Sequence, residues 1–110
     1  MPESLPIDDP RAALYTVGQV ADMLGVQQAF LRRLDTLDVL CPSRSDGGQR
    51  RYSRDDISYA AAIRDLVGEG NTVAGASRIL ELEEKVRRLE AERDEARRVV
   101  RHLKSSRHAR

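Results

Sequence analysis

Apolar residues recur along this chain at helical spacing, in short blocks separated by glycine and proline. Residues 1–13 hold Pro2, Pro6 and Pro10 and show no apolar period, which predicts a disordered polar arm. Val20, Met23 and Leu24 then share one helical face, Thr16 with Gln19 fits a capping box, and Gly25 supplies the stop. Phe30, Leu31, Leu34 and Leu37 repeat the spacing in a second short helix, with Arg32 and Arg33 exposed beside the stripe. Two short helices joined at Gly25-Val26 have the layout of a helix-turn-helix, which any compact helical hairpin shares.

Beyond Leu40-Cys41-Pro42 the pattern changes. Asp46-Gly47-Gly48 sits between two short polar segments, the second being Arg50-Arg51-Tyr52, and reads as the tip of a β-hairpin. Ser53 with Asp56 caps a third helix, whose apolar positions are Ile57, Ala60, Ala61, Ile63, Leu66 and Val67. Gly68 and Gly70 end it, and Asn71-Thr72 opens a fourth helix with no glycine or proline beyond Gly75.

In that fourth helix a heptad pattern emerges. Ile79, Val86, Arg93 and Val100 take one seam position, and Leu82, Leu89, Ala96 and Leu103 take the other. The seam runs for roughly 37 Å and is too narrow to bury against so small a body, so it predicts pairing with a second helix. Arg93 alone breaks the apolar rule, either as a register-setting residue or by snorkelling past Leu89 of a second copy. Residues 81–95 are rich in acid, whereas residues 96–110 carry Arg97, Arg98, Arg101, Lys104, Arg107 and Arg110 with no acid. Antiparallel copies set these unlike segments side by side.

Composition changes this picture in three places. Net charge is only +1 over 110 residues, yet residues 32–54 concentrate Arg32, Arg33, Arg44, Arg50, Arg51 and Arg54 against Asp35, Asp38 and Asp46. That local excess points to an anionic partner, the bland alternative being a solvated hairpin edge. The one cysteine, Cys41, excludes an intramolecular disulfide and reads as a small core residue. His102 and His108 have no metal partner in the pattern. No nucleophile-histidine-carboxylate trio and no phosphate-binding glycine loop stands out, so no catalytic site, metal or cofactor is expected and an enzyme is a poor fit. The start has neither the basic flank nor the apolar run of a leader or membrane span.

Taken in order, Tyr15-Thr16-Val17-Gly18, Ala21, Leu24-Gly25-Val26, Leu31-Arg32, Pro42, Arg44, Gly48, Arg50-Arg51-Tyr52 and Asp56-Ile57 resemble the MerR family of bacterial transcription regulators. The run through Ile79-Leu80-Glu81-Leu82-Glu83 is similar to that family's heat-shock-repressor branch. The resemblance implies a homodimer on inverted-repeat double-stranded DNA, held by antiparallel C-terminal helices; this chain is expected to depart from the family in having no effector domain after the dimer helix. It implies a phosphate contact for Thr16 and places Gln27, Gln28 and Arg32 at the major groove, with Arg33 beside them. Arg44, Arg50, Arg51 and Tyr52 fall on or near the wing, where Tyr52 is half core and half phosphate contact. The family has an aromatic where this chain has Leu34, read here as core, and a glycine where it has Asp38. Aspartate tolerates the left-handed conformation such a glycine provides.

The sequence thus predicts a mainly α protein: an arm over 1–13, a winged helix-turn-helix over 14–78, a coiled-coil dimerisation helix over 79–104 and a basic tail over 105–110. The expected function is sequence-specific DNA binding that represses transcription, in the bacterial cytoplasm at the nucleoid. A protein corepressor is a further partner suggested by the heat-shock branch, and a membrane is not a partner. Two alternatives stand beside it: a coiled-coil adaptor for another protein, and an excisionase-like architectural protein that coats DNA.

Overall fold

The computed structural model describes residues 8–108, so residues 1–7 of the expected arm lie outside the described residues. The chain divides into two compact units, Met1–Ser77 and Arg78–Arg110. In order, its elements are β1 (Tyr15–Thr16), α1 (Val17–Leu24), α2 (Gln28–Thr36), β2 (Ser43–Arg44), β3 (Arg50–Tyr52), α3 (Arg54–Gly68) and α4 (Val73–His108).

Local chemistry sets the element ends. Thr16 Oγ1 accepts from the Gln19 backbone N–H while the Gln19 side chain accepts from that of Thr16, completing the capping box. Ser53 and Asp56 repeat the device at α3. Gly25 ends α1 in the left-handed conformation, φ 64°, where a side chain would be strained. Asp38 also adopts positive φ, 57°, just after α2, as expected where the family carries glycine. Thr72 Oγ1 accepts from Gly75 N at 2.9 Å at the start of α4.

The sheet has the antiparallel order β1-β3-β2. Arg44 pairs with Arg50 and Ser43 with Arg51 to make the expected hairpin, closed at its tip by Gly48 N–H donating to Ser45 O at 2.8 Å. The third strand, β1, was not legible: two residues are too short to show a period. It sets Tyr15 opposite Tyr52 and Thr16 opposite Arg51, joining the wing to the start of α1.

The core of the first unit gathers Val20, Leu31, Leu34, Tyr52, Ala60, Ile63 and Ala76, all with no measurable exposure. Leu34 is a core residue, as read from its stripe. Arg64 donates through Nη1 to the Leu24 carbonyl at 2.8 Å, so a side chain of α3 satisfies an end of α1 that the helix itself leaves open.

Two expectations need correction. The arm does not extend to residue 13: Asp55 N–H donates to Pro10 O, and Leu14 N–H to Tyr52 O, each at 3.0 Å. These backbone bonds hold the segment against β3 and α3 despite its lack of apolar period. Cys41 is exposed rather than core, its thiol donating to Asp38 Oδ1 at 3.7 Å. Leu37 nearby is itself 49% exposed, so this stretch is not fully covered.

In the second unit α4 continues as a single helix. Leu82, Val86, Leu89, Val100 and Leu103 are exposed along it, with Val99 beside the seam. No helix among the described residues is long and apolar enough to cross a membrane.

Candidate nucleic-acid interface

α2 presents two different faces. Gln28, Arg32 and Asp35 follow one another at steps of four and three, which places them on one stripe of the helix. Gln28 Oε1 accepts from Arg32 Nη2 at 2.9 Å, and both side chains are exposed. Across from that stripe stands the wing. Between them opens a cleft of about 380 Å³ lined by Thr16, Val17, Arg32, Arg44, Gly48, Gln49, Arg50 and Arg51. Four arginines from three elements line it.

Asp35 organises this cleft. Its Oδ2 accepts from Arg50 Nε at 2.7 Å and from Arg44 Nη2 at 3.0 Å. The Asp35 carboxylate is 16% exposed and the Arg50 side chain 23%, so solvent screens this pair less than a surface pair. Arg44 is 49% exposed and donates a further bond to Gly48 O at 3.3 Å, bracing the hairpin tip. Arg51 donates to the Arg50 carbonyl at 3.3 Å and has no acid partner among the described residues.

Of the residues singled out in the sequence, the structure brings Thr16, Arg32, Arg44, Arg50 and Arg51 to this one cleft, with Gln28 bonded to its rim. Thr16 is half-buried and its hydroxyl oxygen is engaged as the cap of α1. Gln27 and Arg33 lie elsewhere: they line a separate, largely apolar groove with Val26, Phe30, Arg64 and Val67. The spacing of α2 explains the split, since positions 27 and 33 fall off the 28–32–35 stripe.

Tyr52 is a correction. Its ring has no exposure, and its hydroxyl is buried without a hydrogen-bond partner among the described residues. Burial of the phenol, partly countered by Arg50, pushes its pKa above the ordinary tyrosine value. The side chain fills the core between β3 and the helices, so it is not a phosphate contact. Alternation along β3 sends Tyr52 inward, a direction the sequence leaves open when only three strand residues are available.

Asp35 was the residue the sequence concealed. It looked like one acid offsetting nearby arginines. The signal was its place at a step of seven from Gln28, on the helix face turned to the arginine-bearing hairpin.

On α4, Ile79, Leu82 and Val86 line an open apolar recess flanked by Glu83 and Arg87. Leu89, Ala96, Val100 and Leu103 continue along the exposed helix, and Arg93 pairs with Asp94 at 3.0 Å. Arg87 pairs with Glu84 at 2.6 Å, and Arg98 pairs with Glu95. No group of acidic, histidine and cysteine side chains is placed to hold a metal ion among the described residues.

A three-stranded wing beside a helix-turn-helix, with arginines converging between wing and second helix, defines a winged helix-turn-helix regulator. The chain belongs to the MerR family: the model of the MerR HTH family regulatory protein matches residues 15–83. It is 36% identical over 91 residues to the heat shock protein HspR of Streptomyces coelicolor, covering 82% of this chain and 58% of that one. It is 28% identical over 78 residues to the HTH-type transcriptional regulator GlnR of Bacillus anthracis, covering 70% of this chain and 60% of that one. The chain therefore spans somewhat under two thirds of these relatives' length. Among solved structures, a MerR-family transcriptional regulator from Bacillus cereus superposes with a TM-score of 0.57 at 22% identity, covering 83% of this chain and 78% of the other. HiNmlR, a MerR-family regulator lacking the sensor domain and bound to promoter DNA, superposes at 0.58 and 22%, covering 82% and 75%. These two likenesses establish the fold.

Proposed function

We propose that this chain is a DNA-binding transcriptional regulator that grips an inverted repeat as a homodimer and represses from it. The observation that carries the reading is the cleft where Arg32 of α2 meets Arg44, Arg50 and Arg51 of the wing. Arginines gathered on one concave face match a phosphate backbone, whose neutralisation releases counterions and drives binding. Gln28 is exposed at the first turn of α2, which supports a role in reading base edges, with adenine the natural match for an amide. The family supports the same reading, and so does the promoter DNA bound by the HiNmlR neighbour.

Dimerisation rests on α4. Leu82, Val86, Leu89, Val100 and Leu103 leave an apolar stripe open along a highly charged helix, and a second copy laid antiparallel covers it. The acidic segment 81–95 then lies against the basic residues that follow it. A fixed pairing of two copies fixes the spacing of half-sites, so the operator is an inverted repeat. Repression is the output expected of a dimer that occupies a promoter and excludes polymerase.

The test is selection of bound duplexes from a random pool, followed by titration of the selected site at several salt concentrations. A palindromic motif, bound by one dimer with a steep salt dependence, is expected. Arg51→Ala should weaken binding to all sequences and lower the log–log salt slope by about one. Binding without sequence preference and with many copies per duplex would favour architectural coating, and no binding at all would favour an adaptor.

A further inference from the structure

We infer that Asp35 is a positioning residue for DNA binding, an acid whose removal weakens the hold on a polyanion. This rests on the DNA-binding reading above and goes beyond it by giving an acidic side chain a positive role. An acid beside a phosphate-binding cleft ordinarily costs affinity, because it repels the backbone and neutralises a cation. Here the geometry reverses that expectation.

Arg50 meets Asp35 through Nε, at 2.7 Å. That edge of the guanidinium is the one nearest the chain, so the bond fixes the plane of the group while both terminal nitrogens remain for a second acceptor. Arg44 meets the same Oδ2 through Nη2 at 3.0 Å, and its Nη1 donates to Gly48 O. One carboxylate oxygen therefore anchors the two strands of the wing to α2, at residues that face each other in the hairpin register. A two-residue strand against a three-residue strand has few ladder bonds of its own, so the wing's pose over α2 depends on such side-chain ties. Holding the two arginines also removes rotamer freedom that DNA binding would otherwise have to remove.

The two partners differ in exposure, and their roles follow from it. Arg50, the more buried, stays on Asp35 and offers its free nitrogens to a phosphate. Arg44, half exposed, exchanges Asp35 for the backbone when DNA arrives. Asp35 thus orders the wing in the free protein and gives up only one of its bonds on binding.

The experiment is a titration of the selected duplex with wild type, Asp35→Asn, Asp35→Glu and Arg50→Lys, each at several salt concentrations. Asp35→Asn makes the protein more positive by one charge, yet is expected to bind about tenfold more weakly with a salt slope smaller by about one. Asp35→Glu keeps a carboxylate within reach of both arginines and should recover most of the loss. Arg50→Lys preserves charge but lacks the fork needed to hold Asp35 and a phosphate together, so it too should weaken binding about tenfold. Asp35→Asn binding as well as wild type, or tighter, overturns the inference, as does Asp35→Glu binding no better than Asp35→Asn. Should Asp35→Asn lose its fold by circular dichroism, Arg50→Lys decides alone, and unchanged affinity there overturns the inference. A wild type that binds no duplex overturns the DNA-binding reading with it, whereas a wild type that binds beside an unaffected Asp35→Asn overturns only the role of Asp35.

Discussion

Gln28 Oε1 and Arg32 Nη2 lie 2.9 Å apart, one helical turn from each other on the exposed face of α2. Each side chain limits the rotamers of the other, so on the proposed DNA site the two would meet a groove as a unit. Gln28 Nε2 also approaches Gly18 closely, 3.4 Å from where a Cβ would stand, which places α1 behind the pair.

The first prediction follows from that pairing. Gln28→Ala should change base preference at particular positions by about 1–3 kcal/mol, whereas Arg32→Ala should mainly lower overall affinity. Because the residues are in contact, the double variant should lose less than the sum of the singles. Selection of binding sites with each variant checks the first part, and a double-mutant cycle on the wild-type site checks the second. Strict additivity would show that the pair separates on DNA.

The buried phenol makes a second prediction, opposite in sense to a phosphate contact. Tyr52→Phe deletes a hydroxyl that has no partner, so stability should stay level or rise by about 1 kcal/mol, and DNA affinity should not change. Thermal unfolding and a titration read the two effects. A loss of about 2 kcal/mol or more would reveal a bound water or other acceptor for that hydroxyl.

Leu89→Glu tests the pairing of α4. Leu89 is 60% exposed near the middle of the seam, where an antiparallel copy would bring its own Leu89 close. The variant should sediment as a monomer at micromolar concentration and bind the palindrome about 100-fold more weakly, since two linked half-sites no longer act together. A wild type that is itself monomeric under those conditions would end the dimer proposal. Disulfide capture between cysteines placed at residue 82 of both copies would keep the dimer and refute the antiparallel sense.

Cys41 supplies a prediction in pH. The covering of its sulfur, with the Asp38 and Asp35 carboxylates next, pushes the thiol above its ordinary pKa even though the residue is exposed. The thiolate is the reactive form. Alkylation at mildly alkaline pH should therefore run slower than for an unhindered peptide thiol. Asp38→Asn removes one negative neighbour, tolerates the positive φ at that position, and should speed the reaction by lowering the thiol pKa toward its usual value. Equal rates for the two proteins would show that the carboxylate does not govern the sulfur.

Much of this protein was legible in short-range pattern. The capping boxes at Thr16 and Ser53, the stops at Gly25 and Gly68, the hairpin at Asp46-Gly47-Gly48 and the heptad stripe of α4 each depend on neighbours within a few turns. Local sequence determines such features because their hydrogen bonds and apolar periods close over three, four or seven residues. Tertiary structure decided what arrives from farther away. The bond from Asp55 to Pro10 and the strand β1 depend on backbone partners dozens of residues distant, which no side-chain period announces. Packing turned Tyr52 inward and left Cys41 at the surface, because coverage is a property of the assembled layers. Above all, Asp35 became the anchor of Arg44 and Arg50 only once the hairpin lay beside α2. Charge is written in the sequence, but the partner of a charge is set by distance in space.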